Sequence, residues 1–501
     1  MLLNDRAGNE GSTLRSASNY TANATSRPVV RIAVVGVGSA GLSQIKQCID
    51  AFRRPGVTRQ LELVAYEPRS DVGGLWNYDP DPKPFAQRII YDTLHTYPRD
   101  GDDPTPLYEG LVATLPHELM AYRDLTFPTG TNVIPTAEQI SNYLHDYATK
   151  FVLRQYIRFR TRVNRLYQGG SRRWVIESRG PNGEAREEFD YVSVTMGITR
   201  TPGRLRYQAY QFRRAADFAN QTVLVIGSFS SGSDITRLIG SLNLRGIPAK
   251  VYQSSTGIGN SSFVADPDEP WRPYIHPVPL IDRIEPDGAK GLIHFQSTPF
   301  SHDPIDDVDI IIFATGYYNS LPFCRATDEP WRSHRVLEEE IHIRDGGDQG
   351  ELGGLRGLHM DGLDEMLLFL KDDRSIAFPG LPYQIVPFPF AEAQSRLVAL
   401  LWAGLVDIPP NHTPPRNTTN LFVGTAPGQS ADAGVPIRYS GKSRKEFIFP
   451  NPYEWSYTED IFALLKEADS GEGVPQHWRE VEGWRKEMRA DTGLRKRLLG
   501  Y

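Results

Sequence analysis

The run Gly36-Val37-Gly38-Ser39-Ala40-Gly41 spaces its glycines as a diphosphate cradle does. In such a turn the first glycine permits a tight bend. The second lets backbone approach a pyrophosphate, and the third lets the following helix pack on the preceding strand. The helix start then offers unpaired N–H groups and the positive end of its dipole to the phosphates. A glycine-rich turn alone is often only a turn. Here "VVRIAVV" precedes it, and Leu42, Ile45 and Ile49 follow at helical spacing. Glu67 closes the next apolar run, "LELVAY". A carboxylate there can accept both hydroxyls of a ribose; the plainer reading is a solvated charge at a strand end. Turn and acid together point to a dinucleotide.

Just after that acid, "DVGGLWNY" (71–78) sets Gly73 and Gly74 beside Leu75 and Trp76. Paired glycines allow close backbone approach to a bulky ligand, and Leu75 and Trp76 suit the wall of a flat apolar ring. A turn followed by a core tryptophan is the alternative.

A second turn reads "GSFSSGSDI" (227–235), after "TVLVI" and before "TRLIG". Gly227 and Gly232 stand at the first and last glycine positions, and Phe229 occupies the middle one. Ser230, Ser231 and Ser233 add small volume and hydroxyls, and Asp234 is placed to cap the helix. The next strand ends in Ser254, Ser255 and Thr256, with no acid. Neutral hydroxyls tolerate a 2′-phosphate that a carboxylate repels, so NADP is favoured over NAD. No arginine stands at this strand end. Farther on, "FATGY" (313–317) presents Ala314 and Gly316, small enough for chain or cofactor to pack against.

Other patterns lead nowhere. "HELMAYRD" lacks the second zinc ligand of a metalloprotease helix, and "DPIDDVD" lacks calcium-loop spacing. No Ser–His–Asp order and no P-loop can be argued, and no metal site is expected. His276 and His294 read as structural or solvated. The chain has 501 residues and a net charge of −6, with signs interspersed. That excludes attraction to nucleic acid as an organising feature. Cys48 and Cys324 are the only cysteines. This argues against a disulfide framework or dithiol centre and favours a reducing, cytoplasmic setting. No run reaches the ~18 apolar residues of a membrane helix; "LVALLWAGLVDI" has the length of a buried helix. The first residues lack a signal-peptide core and are expected to be disordered.

The elements that must hold these residues follow from periodicity. Strand, helix and strand between 29 and 68 form a βαβ unit, hence a parallel sheet. Residues 79–136 are an aperiodic excursion, a length that is usually functional. A helix is predicted over 136–151, with Thr136 as its cap and Ile140, Tyr143, Leu144 and Tyr147 on one face. Strands are predicted at "RRWVIESRG" and "DYVSVTMG". Glycines and prolines near 197–203 mark a boundary, and a second βαβ unit follows it. The chain is thus read as α/β, with two Rossmann-like dinucleotide-binding domains, the second inserted in the first.

Taken together these segments resemble the flavin-containing monooxygenases, the fungal members in particular. The likeness spans roughly 30–460 and rests on "VVGVGSAGL", "YEPRSDVGGLWNY", "PLYEGLVATLPHELMAYRDLTFP", "YLHDYATKF", "FRRAADFANQTVLVIGSFSSGSDI", "VDIIIFATGY" and "SIAFPGLPYQIVPFPFAEAQSRLVALLWAG". It implies a tail over 1–28, an FAD-binding domain over 29–205 and 320–501 that includes C-terminal helices, and an NADP-binding domain over 206–319. By the same likeness Gly36, Gly38, Ser39, Ala40, Gly41, Glu67, Leu75 and Trp76 hold FAD. The backbone of Val163 meets the adenine, Gln394 lies near the flavin, and Ser230, Ser231, Gly232 and Ser233 hold NADPH.

The implied reaction is reduction of FAD by NADPH and addition of molecular oxygen (O2) at flavin C4a. The hydroperoxide then gives one oxygen atom to a soft nitrogen or sulfur nucleophile of a small molecule, in specialised metabolism. Two alternatives stand beside it: Baeyer–Villiger oxygenation of a ketone, and a flavin-binding protein that no longer oxygenates. The chain departs from the family in three places. Ala113-Thr114 replaces the asparagine segment "TN-x-P", which makes Thr114 the candidate catalytic donor. The F-x-G-x-x-x-H fingerprint is missing, with Gln208 near the histidine position. Phe229 sits in the second turn. These departures bear on hydroperoxide lifetime more than on FAD binding.

Overall fold

The computed structural model describes residues 27–77, 105–195, 209–255, 268–285, 291–296, 302–316, 319–344, 351–415, 447–449, 451–471 and 473–499. The expected N-terminal tail, the boundary at 197–203, Gln208, Thr256, Tyr317 and residues 79–104 of the excursion fall outside them, apart from Arg27 and Pro28.

The first sheet grows around β1 (Val29–Val35), a β-branched strand that is buried over most of its length. β1 pairs in parallel with β2 (Gln60–Tyr66) on one side and β7 (Tyr191–Val194) on the other. β3 (Ile157–Arg158) extends the sheet beyond β2. β18 (Asp373–Ala377) adds in parallel to β7, with β17 (Phe369–Leu370) antiparallel at its edge. Parallel neighbours need crossovers, and α1 (Ser39–Phe52) supplies the one from β1 to β2. This helix is buried nearly all round, even at Ser43, Gln44 and Gln47, because α5 (Pro387–Ala403) lies against it. Gln44 and Gln47 answer that burial by bonding Ser395 and Arg396 of α5.

The second sheet holds β8 (Thr222–Ile226) between β9 (Lys250–Ser254) and β13 (Ile310–Phe313), with β10 (Ile275–Val278) outside β9; all are parallel. It is formed entirely between β7 and β18 of the first sheet, so the second unit interrupts the first. The architecture is α/β with two Rossmann-like units. Antiparallel additions flank them: β4 (Arg162–Gln168), β5 (Trp174–Gly180) and β6 (Gly183–Phe189); the hairpin of β11 (Ile281–Glu285) and β12 (Leu292–Phe295); and β14 (Asn319–Leu321), β15 (Leu337–Arg344) and β16 (Glu351–Met360).

α2 (His117–Met120) is a single turn of "HELM". α3 (Ala137–Lys150) starts with a reciprocal capping box: Gln139 N–H donates to Thr136 Oγ1 at 3.2 Å and Thr136 N–H donates to Gln139 Oε1 at 3.0 Å. Its face of Ile140, Tyr143, Leu144 and Tyr147 is fully buried. α5 is the buried helix expected at the longest apolar patch, and Gly404 ends it in a left-handed conformation, φ 77°. Among the described residues no helix is long and apolar enough to cross a membrane. α6 (Tyr453–Leu465), α7 (Gly483–Ala490) and α8 (Thr492–Leu499) complete the chain.

One element starts earlier than its sequence pattern suggests. α4 (Ser230–Gly240) takes in the serine run, and Phe229 is its N-cap residue. Asp234, expected to cap, lies inside the first turns. Phe229 already has the extended N-cap backbone, and the Asp234 carboxylate is engaged by Tyr108 and Arg237.

Candidate active site between the two dinucleotide turns

The two turns share one geometry. Gly36 and Gly227 both take positive φ, 94° and 112°, which side chains rarely adopt. A Cβ added to Gly41 falls 2.1 Å from the carbonyl oxygen of Gly36, and one added to Gly232 falls 2.1 Å from that of Gly227. Each turn is closed from beyond its sheet. Thr195, after β7, donates its hydroxyl to the Gly36 carbonyl at 2.7 Å. Ala314, after β13, packs on Gly232 and Gly227. Its small side chain is therefore used by the chain itself.

The middle positions differ in residue but not in backbone. Gly38 has φ −77° and Phe229 φ −85°, the same extended N-cap conformation, so the backbone does not demand glycine at either. The first turn has a close neighbour, the Gly73–Gly74 loop. A Cβ on Gly74 would fall 2.8 Å from Gly38 Cα, so Gly74 is the residue held to glycine, whereas a Cβ on Gly38 would sit 3.7 Å from Gly74 Cα, an ordinary contact. Among the described residues no such loop covers the second turn, and Phe229 is 52% exposed.

These features fit a bound dinucleotide at the first turn. Neither α1 nor α4 has a side chain capping its start, which leaves the leading N–H groups to a ligand. Ser39, Ala40 and Gly41 open α1. Glu67 is 3% exposed. It accepts from Val37 N–H at 2.8 Å and from Arg69 N–H at 3.0 Å, so it braces the cradle from below. Burial pushes its carboxyl above the usual range, and the two backbone donors pull it back. Each carboxylate oxygen keeps a lone pair for a ribose hydroxyl. Val163 is buried at the start of β4. Two residues before it, Thr161 N–H bonds the Glu67 carbonyl at 2.9 Å, so this segment runs beside the acid.

Two expected contacts are indirect or spent. Gln394 is fully buried; it accepts from Gly380 N–H at 2.8 Å and donates to the Tyr457 hydroxyl at 2.9 Å. It holds the Gly380 turn, where a Cβ would sit 3.4 Å from Ala40, and so reaches the cradle only through Gly380. Ser254, expected beside a 2′-phosphate, is fully buried and donates its hydroxyl to the Pro279 carbonyl at 2.8 Å. Strand β10 draws that hydroxyl inward. Ser233 likewise donates to the Ser228 carbonyl at 2.8 Å, stiffening the turn from within.

Between the turns lies a cavity of about 240 Å³. Leu75 and Trp76 wall one side, Thr114 and Val112 another, and Ser230, Ser231 and Asp234 of α4 a third. Residues expected from three separate segments therefore meet at one space. Ala113 is buried beneath it, its N–H bonded to the Pro135 carbonyl at 2.9 Å, which fixes the backbone that carries Thr114.

Two tyrosines were not foreseen. Tyr108 lines the cavity and donates to Asp234 Oδ2 at 2.6 Å. Tyr122 lies in the "HELMAYRD" stretch and donates to the Ser39 carbonyl at 2.6 Å, from a stack that includes Tyr143, Tyr147 and Phe388. An apolar-flanked aromatic is their only sequence signal, and it is shared by many core residues.

A strand-to-helix turn on each of two largely parallel sheets is the arrangement of a two-domain Rossmann-like protein. The family described as "Flavin-binding monooxygenase-like" matches residues 29–244. Flavin-containing monooxygenase FMO GS-OX5 of Arabidopsis thaliana is 26% identical over 438 residues, 82% of this chain and 81% of that protein. Flavin-containing monooxygenase FMO GS-OX-like 1 of the same plant is 27% identical over 494 residues, 94% and 91% of the two chains. Among solved structures, S-allyl-L-cysteine S-oxygenase from Allium sativum superposes with a TM-score of 0.58 at 20% identity, covering 94% of each chain. Tmm from Pelagibacter sp. strain HTCC7211 superposes at 0.56 and 20% identity, over 76% of this chain and 77% of that one. Over most of its length the chain is thus similar to the flavin-containing monooxygenases, a family that uses FAD and NADPH, and these likenesses mark it as an FAD-dependent monooxygenase.

Proposed function

We propose that this chain spends NADPH and dioxygen to place one oxygen atom on a nitrogen or sulfur nucleophile of a small molecule. The cavity shared by Trp76, Thr114 and the first turn of α4 carries this reading. It is lined both by the Leu75–Trp76 segment, whose neighbour Gly74 lies against Gly38 of the first turn, and by Ser230 and Ser231 of the second. Bound FAD would supply the redox and oxygen chemistry, and protein supplies position, water exclusion and electrostatics. Gly36, Gly38, Ser39, Ala40 and Gly41 hold its diphosphate on the N-terminus of α1, and Glu67 takes the ribose. Leu75 and Trp76 shield the reacting face from water. The Thr114 hydroxyl offers one hydrogen bond to a developing charge. Gly227, Ser230, Ser231 and Gly232 present the N-terminus of α4 to the second diphosphate.

The division into an FAD domain over 29–205 and 320–501 and an NADP domain over 206–319 follows from the same reading. A strand end without an acid supports NADPH over NADH. Ser254 is turned inward, its hydroxyl bonded to the Pro279 carbonyl, so it is not offered to a 2′-phosphate. The buried free thiols of Cys48 and Cys324 suit a reducing compartment such as the cytoplasm. Sulfur heads the order of acceptors to test, since the Allium sativum relative in fold is an S-oxygenase by name.

The test is anaerobic reduction of the FAD-loaded protein by NADPH, followed by aerobic turnover with thioethers, amines and ketones. Products heavier by one oxygen atom from thioethers or amines are expected. Peroxide as the sole product with every class would overturn the reading, and ester products from ketones alone would replace it.

A further inference from the structure

We infer that Tyr108 and Asp234 form a latch that joins the two dinucleotide units across the cavity and sets its width. The inference rests on the proposed use of NADPH at α4. The Tyr108 hydroxyl donates to Asp234 Oδ2 at 2.6 Å, between residues 126 positions apart. The two residues are 6% and 5% exposed, yet both face the cavity.

The segment that carries Tyr108 crosses from one core to the other within a few residues. The Tyr108 ring belongs to the core of the second unit, edge-on to Phe212 at 5.2 Å. Glu109 N–H bonds the Arg213 carbonyl at 2.7 Å, and a Cβ on Gly110 would meet Leu238 of α4 at 3.2 Å. Ala113 belongs to the core of the first unit, and Val112 bridges to Thr136 at the start of α3. Thr114 comes next. Its distance from α4 is thus set by where Tyr108 is held. Tyr108 acts as a positioning residue, through this segment and through Asp234.

Charge adds a second role. Asp234 stands near the start of α4, where its carboxylate would oppose an incoming pyrophosphate. Arg237 engages Oδ1, with Nε at 3.1 Å, and Tyr108 engages Oδ2. Both oxygens are turned to protein donors, and the helix N-terminus is left to the ligand.

The test uses the FAD-loaded full chain with two readouts: the dissociation constant of NADP+ by calorimetry, and the share of oxidised NADPH released as hydrogen peroxide. Tyr108→Phe keeps the ring and deletes one hydroxyl. It is expected to weaken NADP+ about tenfold, as loss of a hydrogen bond to a charged group does, and to raise the peroxide share with FAD content unchanged. Asp234→Ala should do the same, and the double variant should be no worse than the worse single one, as coupled residues show. Asp234→Asn keeps an acceptor for Tyr108 and should lie closer to wild type. The latch is overturned if Tyr108→Phe keeps wild-type affinity and peroxide share, if the two losses simply add, or if FAD is lost together with NADP+. A wild-type protein that loads FAD yet binds no NADP+ would overturn the proposed function first, a different outcome from a silent Tyr108→Phe.

Discussion

A Cβ on Gly232 would lie 2.1 Å from the Gly227 carbonyl oxygen, the same approach that Gly41 makes to Gly36. The second turn keeps the helix-on-strand contact of the first although it has lost the middle glycine. Backbone cannot yield cheaply at either place, so alanine there should cost about 1–3 kcal/mol or more as overpacking. Gly41→Ala is expected to purify with little flavin. Gly232→Ala is expected to keep its flavin and lose NADP+ affinity. Flavin absorbance per chain and an NADP+ titration separate the two; wild-type NADP+ binding by Gly232→Ala would remove the second turn from the site.

Phe229 has the N-cap backbone without a capping side chain. Serine there would accept from an N–H of the first turn and should raise stability by about 1 kcal/mol. Because the ring is half exposed and lies outside the cavity lining, Phe229→Ser should leave NADP+ affinity within about threefold, less than the worth of one hydrogen bond. Denaturant midpoints and the same titration check both halves. A large affinity change would place the ring in the phosphate path.

The glycine turns, the Thr136 cap and the buried helix at 387–403 were legible because each is a local pattern: a spacing, a cap, an unbroken apolar run. The serine run was harder. Hydroxyls beside glycine suggest a turn, and only the extended backbone at Phe229 moves the helix start forward to Ser230. Ser254 reads as a free hydroxyl until β10 brings the Pro279 carbonyl to it. The Tyr108–Asp234 bond has no sequence signature at all, since its partners meet only when two separate sheets have formed. What sequence hides here is pairing at a distance.

Glu392 of α5 gives the stability a pH dependence. Burial first, and the negative charge of Asp124 second, push its carboxyl up to about 7. The unfolded value is about 4.3. Between the two the folded chain keeps a proton that the unfolded chain has released, so stability falls as pH rises through this window and levels off above it. The scale is about 3 kcal/mol as an order of magnitude. Glu67 and Glu454 are raised as well and act in the same direction. Asp124 is half-buried, which raises its carboxyl, yet His477 and Lys46 hold it well below its usual range. Its contribution is lost only as pH falls below about 4, outside the window. Glu392→Gln keeps an oxygen for Arg123 N–H, which Glu392 Oε2 accepts at 2.7 Å. The variant should show a flatter stability profile from about pH 5 to about pH 7. Urea midpoints across that range test it, and a slope equal to wild type would exclude Glu392 as the source.

The resemblance expects an asparagine amide near Thr114, and exchanges at this position test what the proposed hydroxyl donor does. The side chain is half buried and faces the cavity, on a backbone held by Ala113 N–H at the Pro135 carbonyl. A threonine hydroxyl gives one donor, an asparagine amide two donors and an acceptor, and alanine none. If the hydroxyl steadies charge on the reacting side of the cavity, removing it forfeits about 1 kcal/mol. That corresponds to about fivefold more of the oxidised NADPH ending as peroxide for Thr114→Ala. Thr114→Ser keeps the donor and should match wild type. Thr114→Asn has nearly the same volume and one more donor, and should release less peroxide than wild type. Flavin content should be unchanged in all three, because the cradle at Gly36–Gly41 is untouched. The measurement is peroxide formed per NADPH oxidised with a saturating thioether. A Thr114→Ala protein as tightly coupled as wild type would show that the hydroxyl is a bystander, and the cavity wall of Leu75 and Trp76 would then be the device that keeps water out.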